Sequence, residues 1–186
     1  KKIIEFQKSN YNLTRTLCKC IENEYKKNQR SLRIIYTSTT QVDLDNFYGK
    51  SKLKSEKILK KLSSYKNINV NIFRLPGVFG AGSKPYYNSV VATFCFNIVN
   101  KIKLKIIEPE KEIDLLFVED LCRQLNDLMN KNFAGDFVKF KNVKKISVGE
   151  LASTIKTFQN YNYNIKFSNS KDFLKKNLYK TFISFI

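Results

Sequence analysis

The chain has 186 residues, 42% of them hydrophobic, and a formal net charge of +18, which describes a globular domain with a packed core and not a disordered segment. It contains no histidine, which removes Ser-His and Cys-His catalysis and most zinc sites, so no metal centre is expected. Lysine supplies 29 of the 34 basic residues, and Lys, Asn and Ile together make 67 of the 186, so the charge reads as compositional bias and no specific nucleic-acid partner is expected.

In chain order, residues 9–28 form the first expected helix, with Leu13, Leu17, Cys20, Ile21 and Tyr25 at helical spacing and Ser9 or Asn10 as its cap. "RIIYTSTT" (33–40) reads as a buried strand ending in hydroxyl residues, followed by a loop at 41–47 and a helix from 48 to about 65. "INVNIFRL" (68–75) is a second buried strand, broken by Pro76-Gly77. A loop over 76–85 and a helix over 88–101 follow. Short strands are expected at 101–107 and 112–118, helices at 119–131 and 149–159 with Ser147 capping the second, and a last amphipathic helix carrying Phe173, Leu174, Leu178, Phe182 and Phe185. Strands separated by helices imply a parallel sheet with right-handed crossovers, and ligands at the carboxyl ends of its strands.

The four cysteines are Cys18, Cys20, Cys95 and Cys122, with no C-x-x-C pair; reduced, buried thiols in a cytoplasmic protein are expected. The longest apolar stretch, "VVATFCFNIV", is about half a membrane span, so no membrane partner is expected. The chain opens on Lys1-Lys2 and stops at "TFISFI", and reads as a piece of a longer one.

The segment "FYGKSKLKSEKIL" (47–59) carries four lysines. At about 100° per residue, Lys50, Lys54, Lys57 and Lys61 share one solvent stripe, whereas Lys52 lies roughly 40° from Tyr48, one turn along. An ammonium beside a phenol favours the phenolate and lowers the tyrosine pKa, so Tyr48 can act as a general acid toward a carbonyl oxygen. Y-x-x-x-K alone recurs by chance in a chain this rich in Tyr and Lys. Here it opens a helix between "YTSTT" and "RLPGVFG".

Those three motifs resemble the extended short-chain dehydrogenase/reductases, the NAD-dependent epimerase/dehydratase family. "RLPGVFGAGSKPYYNSVVATFCFNI" and "EIDLLFVEDL" bring the resemblance closest to its branch of capsular-polysaccharide reductases in UDP-N-acetyl-L-fucosamine synthesis. The resemblance implies an α/β fold: a partial Rossmann-type parallel sheet over 1–85, lacking its first strands and Gly-rich loop, and a small α+β substrate-binding subdomain over 86–186. It implies NAD or NADP as cofactor, with NADPH favoured, and a UDP-sugar as substrate, in a cytoplasmic homodimer.

By position, the resemblance makes Thr39, Tyr48 and Lys52 catalytic. Tyr48, Lys52, Pro76, Gly77 and Val78 meet the cofactor, and Ser38, Lys84 and Asn88 the substrate. Asn88, expected at the start of the 88–101 helix, approaches the diphosphate. The chain departs from the family where Gly77 stands for its Asn and Ile113 for its Arg, and none of the six glycines makes G-x-x-G-x-x-G. In the nearest relatives a metal-bearing cupin domain follows. The expected reaction is reduction at C4 of a 4-keto-6-deoxy UDP-N-acetyl-hexose. A nucleotide-sugar epimerase or dehydratase, a non-catalytic remnant of the fold, and a polyanion-binding protein stand as alternatives.

Overall fold

A computed structural model describes residues 2–130, 139–160 and 173–186. The chain divides into two compact units, one comprising Lys1–Pro76 and Lys131–Lys139 and the other Gly77–Asn130 and Phe140–Ile186. The sequence reading drew its boundary at residue 85.

The first unit opens with helix α1 (Lys2–Phe6), which runs through a π-helical stretch (Gln7–Asn12) into α2 (Leu13–Asn28). The helix thus begins earlier than residue 9, and neither expected cap works as one. Ser9 Oγ donates to Glu5 O, and Asn10 Nδ2 donates to Ser51 Oγ at 2.9 Å. Of the expected inward residues, Ile21 and Tyr25 pack on the core, whereas Leu13, Leu17 and Cys20 do not. Leu13 and Leu17 are 65% and 51% exposed, while Thr14 and Cys18 are buried and Ile21 and Tyr25 pack beside them. The buried stripe is turned by roughly 100° from the Leu13 line, because a helix with apolar residues on two arcs leaves the choice of face to its neighbours. The helix stops at Gln29, whose left-handed backbone (φ 46°) lets its N–H reach Tyr25 O.

Strand β1 (Leu32–Thr39) leads through a 3-10 turn (Thr40–Asp43) to α3 (Phe47–Leu62) and strand β2 (Ile68–Leu75). β1 and β2 pair in parallel from Leu32↔Ile68 to Thr39↔Leu75, so their carboxyl ends coincide and Pro76 leaves beside Thr39. Leu59 and Leu62 of α3 pack with Cys18, Ile68, Val70 and Ile72 to form this unit's core.

In the second unit, β3 (Gly77–Phe79) pairs in parallel with β4 (Glu112–Phe117), and β4 pairs antiparallel with β5 (Lys144–Ser147). Four helices accompany them: α4 (Val90–Val99), α5 (Val118–Met129), α6 (Val148–Thr157) and α7 (Phe173–Ile183). Phe79, Phe94, Phe117, Ile155, Phe158, Leu178 and Phe182 belong to its core. Ser147 caps α6 as expected, its Oγ accepting from Glu150 N–H at 3.1 Å. The expected strand at 101–107 does not form. Both edges of β4 are taken, by β3 and β5, so the alternating Lys/Ile/Leu run does not pair with the strand that follows it, and Leu104 and Ile106 pack on the core as coil. β3 and β5 were not foreseen. β3 follows the Pro76 break, and Gly77 lets it lie close to β4: a Cβ there would come within 3.0 Å of Asp114 O.

Candidate active site

The site in the first unit is assembled at the carboxyl end of β1 and the amino end of α3. Asn46 fixes where α3 begins, with Oδ1 accepting from Gly49 N–H at 2.7 Å. Gly49 lets the first helical turn lie against the 3-10 turn. A Cβ on it would stand 2.0 Å from Gln41 O, a separation no real pair adopts. The side chains of Tyr48 and Lys52 therefore emerge next to the segment that carries Ser38 and Thr39.

The lysines of α3 divide as their helical phase predicts. Lys50, Lys54, Lys57 and Lys61 are exposed, whereas Lys52 is half-buried. Its Nζ donates to Thr37 O at 3.1 Å and lies 4.9 Å from the centre of the Tyr36 ring. Burial holds the Lys52 ammonium below the usual lysine range, and the Glu56 carboxylate works in the opposite direction. Tyr48 is half-buried with its ring tilted against Phe6, centroids 5.5 Å apart. One turn of helix separates Tyr48 from Lys52, which puts the two side chains on the same face of α3.

Thr39 is buried, and its Oγ1 accepts from Gln41 N–H at 3.2 Å. A hydroxyl held as an acceptor on that side turns its own proton elsewhere. Ser38 Oγ is buried and meets no hydrogen-bond partner among the described residues. A buried hydroxyl without a partner is costly, and it suits a site where a ligand atom completes the bond.

The sequence reading missed two charged residues behind this site. Glu56 is only 2% exposed and accepts a fork from Arg74, Nε to Oε1 at 3.1 Å and Nη2 to Oε2 at 2.9 Å. Arg74 also faces Asp43 of the 3-10 turn at 3.6 Å. The signal was present in the spacing, for Tyr48, Lys52 and Glu56 recur every four residues on one helix face.

Pro76 closes the first unit directly after Leu75, the partner of Thr39. Gly77, Val78, Lys84 and Asn88 belong to the second unit. Gly77 and Val78 pair with Leu115 and Leu116 in β3, and Lys84 and Asn88 are exposed. Asn88 does not open α4. Ser89 caps it, accepting from Ala92 N–H at 3.2 Å, because the chain turns at Tyr86 (φ 56°) and enters the helix only at Val90. Tyr86 ties this loop down: its N–H donates to Thr93 Oγ1 at 3.0 Å and its hydroxyl bonds to buried Asn97.

Two thiols also depart from expectation. Cys18 and Cys95 are buried, but Cys20 and Cys122 are exposed, since neither side chain falls on the inward arc of its helix. No group of metal-ligating residues occurs among the described residues, and no described helix is long and apolar enough to cross a membrane.

For a nicotinamide dinucleotide, the fit is partial. The orphaned Ser38 hydroxyl and the Lys52 ammonium, which carries more donors than its bond to Thr37 O uses, suit the carbonyl and ribose end. No G-x-x-G-x-x-G loop for the pyrophosphate occurs in these 186 residues.

The chain is 36% identical over 183 residues to the UDP-2-acetamido-2,6-beta-L-arabino-hexul-4-ose reductase of Pseudomonas aeruginosa, covering 98% of this chain and 48% of that protein. The chain thus spans about half the length of that curated relative. Among solved structures, the capsular polysaccharide assembling protein CapF of Staphylococcus aureus superposes with a TM-score of 0.74 at 27% identity, over 91% of this chain and 47% of that one. The UDP-N-acetylglucosamine 4-epimerase of Methanobrevibacter ruminantium shares the fold, with a TM-score of 0.75 at 16% identity, over 98% of this chain and 70% of that one. The model of the NAD dependent epimerase/dehydratase family matches residues 1–138, a span that holds the Ser38–Thr39 strand end, Tyr48, Lys52 and the Pro76 turn, and the chain belongs to that family.

Proposed function

We propose that this chain is the catalytic part of an NAD(P)H-dependent reductase acting on C4 of a 4-keto-6-deoxy UDP-N-acetyl-hexose, in the synthesis of a capsular or other surface polysaccharide. The observation that carries the reading is Lys52, half-buried and anchored on Thr37 O, one turn from Tyr48 at a strand end bearing Ser38 and Thr39. Likeness to the Pseudomonas reductase favours simple reduction over epimerisation or dehydration.

When bound, the nicotinamide supplies hydride to the carbonyl carbon. Lys52 and Tyr48 are the residues that would hold its ribose, with backbone at Pro76–Val78 meeting the carboxamide. Tyr48 O–H gives the carbonyl oxygen its proton, so that C=O becomes CH–OH. The Lys52 ammonium stabilises the phenolate left behind. Thr39 O–H, or Ser38 O–H as the second choice, holds the same oxygen as charge develops on it. Lys84 and Asn88 contribute to the nucleotide-sugar diphosphate. NADPH as the preferred cofactor, a homodimer and a cytoplasmic location belong to the same reading and rest on family likeness.

The test is oxidation of NADPH by the protein carrying this sequence, with a UDP-linked 4-keto-6-deoxy sugar. Tyr48→Phe should reduce turnover by about two orders of magnitude or more while cofactor affinity stays within a few-fold. Retained turnover would remove Tyr48 from its role. The 186 residues by themselves should bind NADPH poorly, since they lack a phosphate loop. Micromolar affinity by fluorescence would contradict this.

A further inference from the structure

We propose that Glu56, clamped by Arg74, is a positioning residue that holds Lys52 and the first turns of α3 against the end of β1. The inference rests on the site reading above and extends it to a group that touches neither substrate nor cofactor.

Three observations carry it. First, Arg74 ties together three elements around the site in the first unit: α3 through Glu56, the end of β2 through its own backbone, and the turn after Thr39 through Asp43. Second, Glu56 is almost fully buried. A buried ion pair gives little net stability over apolar side chains of the same volume, because desolvation offsets the attraction, whereas breaking one is costly. Stability alone does not account for a carboxylate here. Third, Glu56 lies one helical turn beyond Lys52, as Lys52 lies one turn beyond Tyr48, so its negative charge faces the ammonium along the helix.

Other groups about Lys52 act differently. From β1 it meets the Tyr36 ring and Thr37 O; on its own helix Tyr48 and Glu56 stand one turn to either side; Arg74 pairs with Glu56 and with Asp43. Burial lowers the Lys52 pKa, and the Glu56 carboxylate works against that lowering.

The experiment reads Lys52 directly. Pulse labelling of amines with acetic anhydride across a pH series, followed by mass spectrometry, gives the midpoint at which Lys52 loses its proton. Glu56→Gln preserves shape and an acceptor for Arg74 but removes the charge. The midpoint should fall by on the order of one pH unit. A folded Glu56→Gln protein with an unchanged midpoint overturns the proposal, because a purely structural contact would leave the midpoint where it was. A second variant, Arg74→Lys, keeps the cation and loses the fork. Amide exchange over residues 47–53 should quicken at least several-fold, whereas a change confined to β2 overturns the proposal. Neither readout uses turnover. Failure of Glu56 is therefore distinguishable from failure of the reductase reading, which Tyr48→Phe tests.

Discussion

Gly49→Ala inverts the usual rule for helices. In an ordinary helical position this change stabilises by about 0.5–1 kcal/mol, because glycine loses the most backbone freedom on folding. At Gly49 the new methyl would lie 2.0 Å from Gln41 O, 2.8 Å from Gln41 C and 3.3 Å from Val42 Cα. The obstacle is backbone, so the 3-10 turn and α3 must separate by about 1 Å to bring the closest contact to the 3.0 Å that real Cβ atoms respect. Overpacking of this kind costs about 1–3 kcal/mol. With backbone as the obstacle the cost sits in the upper part of that range, about 2–3 kcal/mol, and less the propensity gain the net loss is about 1–2.5 kcal/mol, which lowers a urea midpoint by about 0.5–1 M. Lys57→Ala, at an exposed position of the same helix, is the control and should be neutral or slightly stabilising. Urea unfolding followed by circular dichroism measures both. A Gly49→Ala protein as stable as the parent would refute the argument that this glycine sets the contact between helix and turn.

Three further outcomes are expected. The native protein should show two fast thiols toward an aromatic disulfide reagent, Cys20 and Cys122, with Cys18 and Cys95 reacting only on unfolding; burial pushes the Cys95 thiol up to about 12, so it has almost no thiolate near neutral pH. Phe158→Ala, which empties a position enclosed by Tyr179 and Phe182, should destabilise by about 3–5 kcal/mol in denaturant unfolding. Lys52 has a folded-state pKa below its unfolded value, so between the two the unfolded chain binds more protons and stability rises with pH. The stability of the parent relative to Lys52→Met should accordingly grow as pH climbs through the alkaline range beneath the ordinary lysine pKa, and a gap that shrinks would contradict the burial of this amine.

The sequence by itself determined whatever depends on neighbours along one element. Helical phase separates Lys52 from Lys50, Lys54, Lys57 and Lys61, because side-chain direction repeats within a helix whatever surrounds it, and the structure leaves those four in solvent and Lys52 half-buried. The strand ends at Thr39 and Leu75 and the Ser147 cap were legible for the same reason. So was the family, since its motifs are short and local.

Only the tertiary structure decided which arc of α2 turns inward, since Leu13 and Leu17 make as good a stripe as Thr14 and Cys18 until β1, β2 and α3 take one side. It decided that 102–106 stays coil and does not pair with β4, whose two edges β3 and β5 occupy. It also joined Arg74 to Glu56, eighteen residues apart, in a pair that no periodicity announces. Strand edges and buried ion pairs depend on which distant segments meet, and a local pattern carries no record of that.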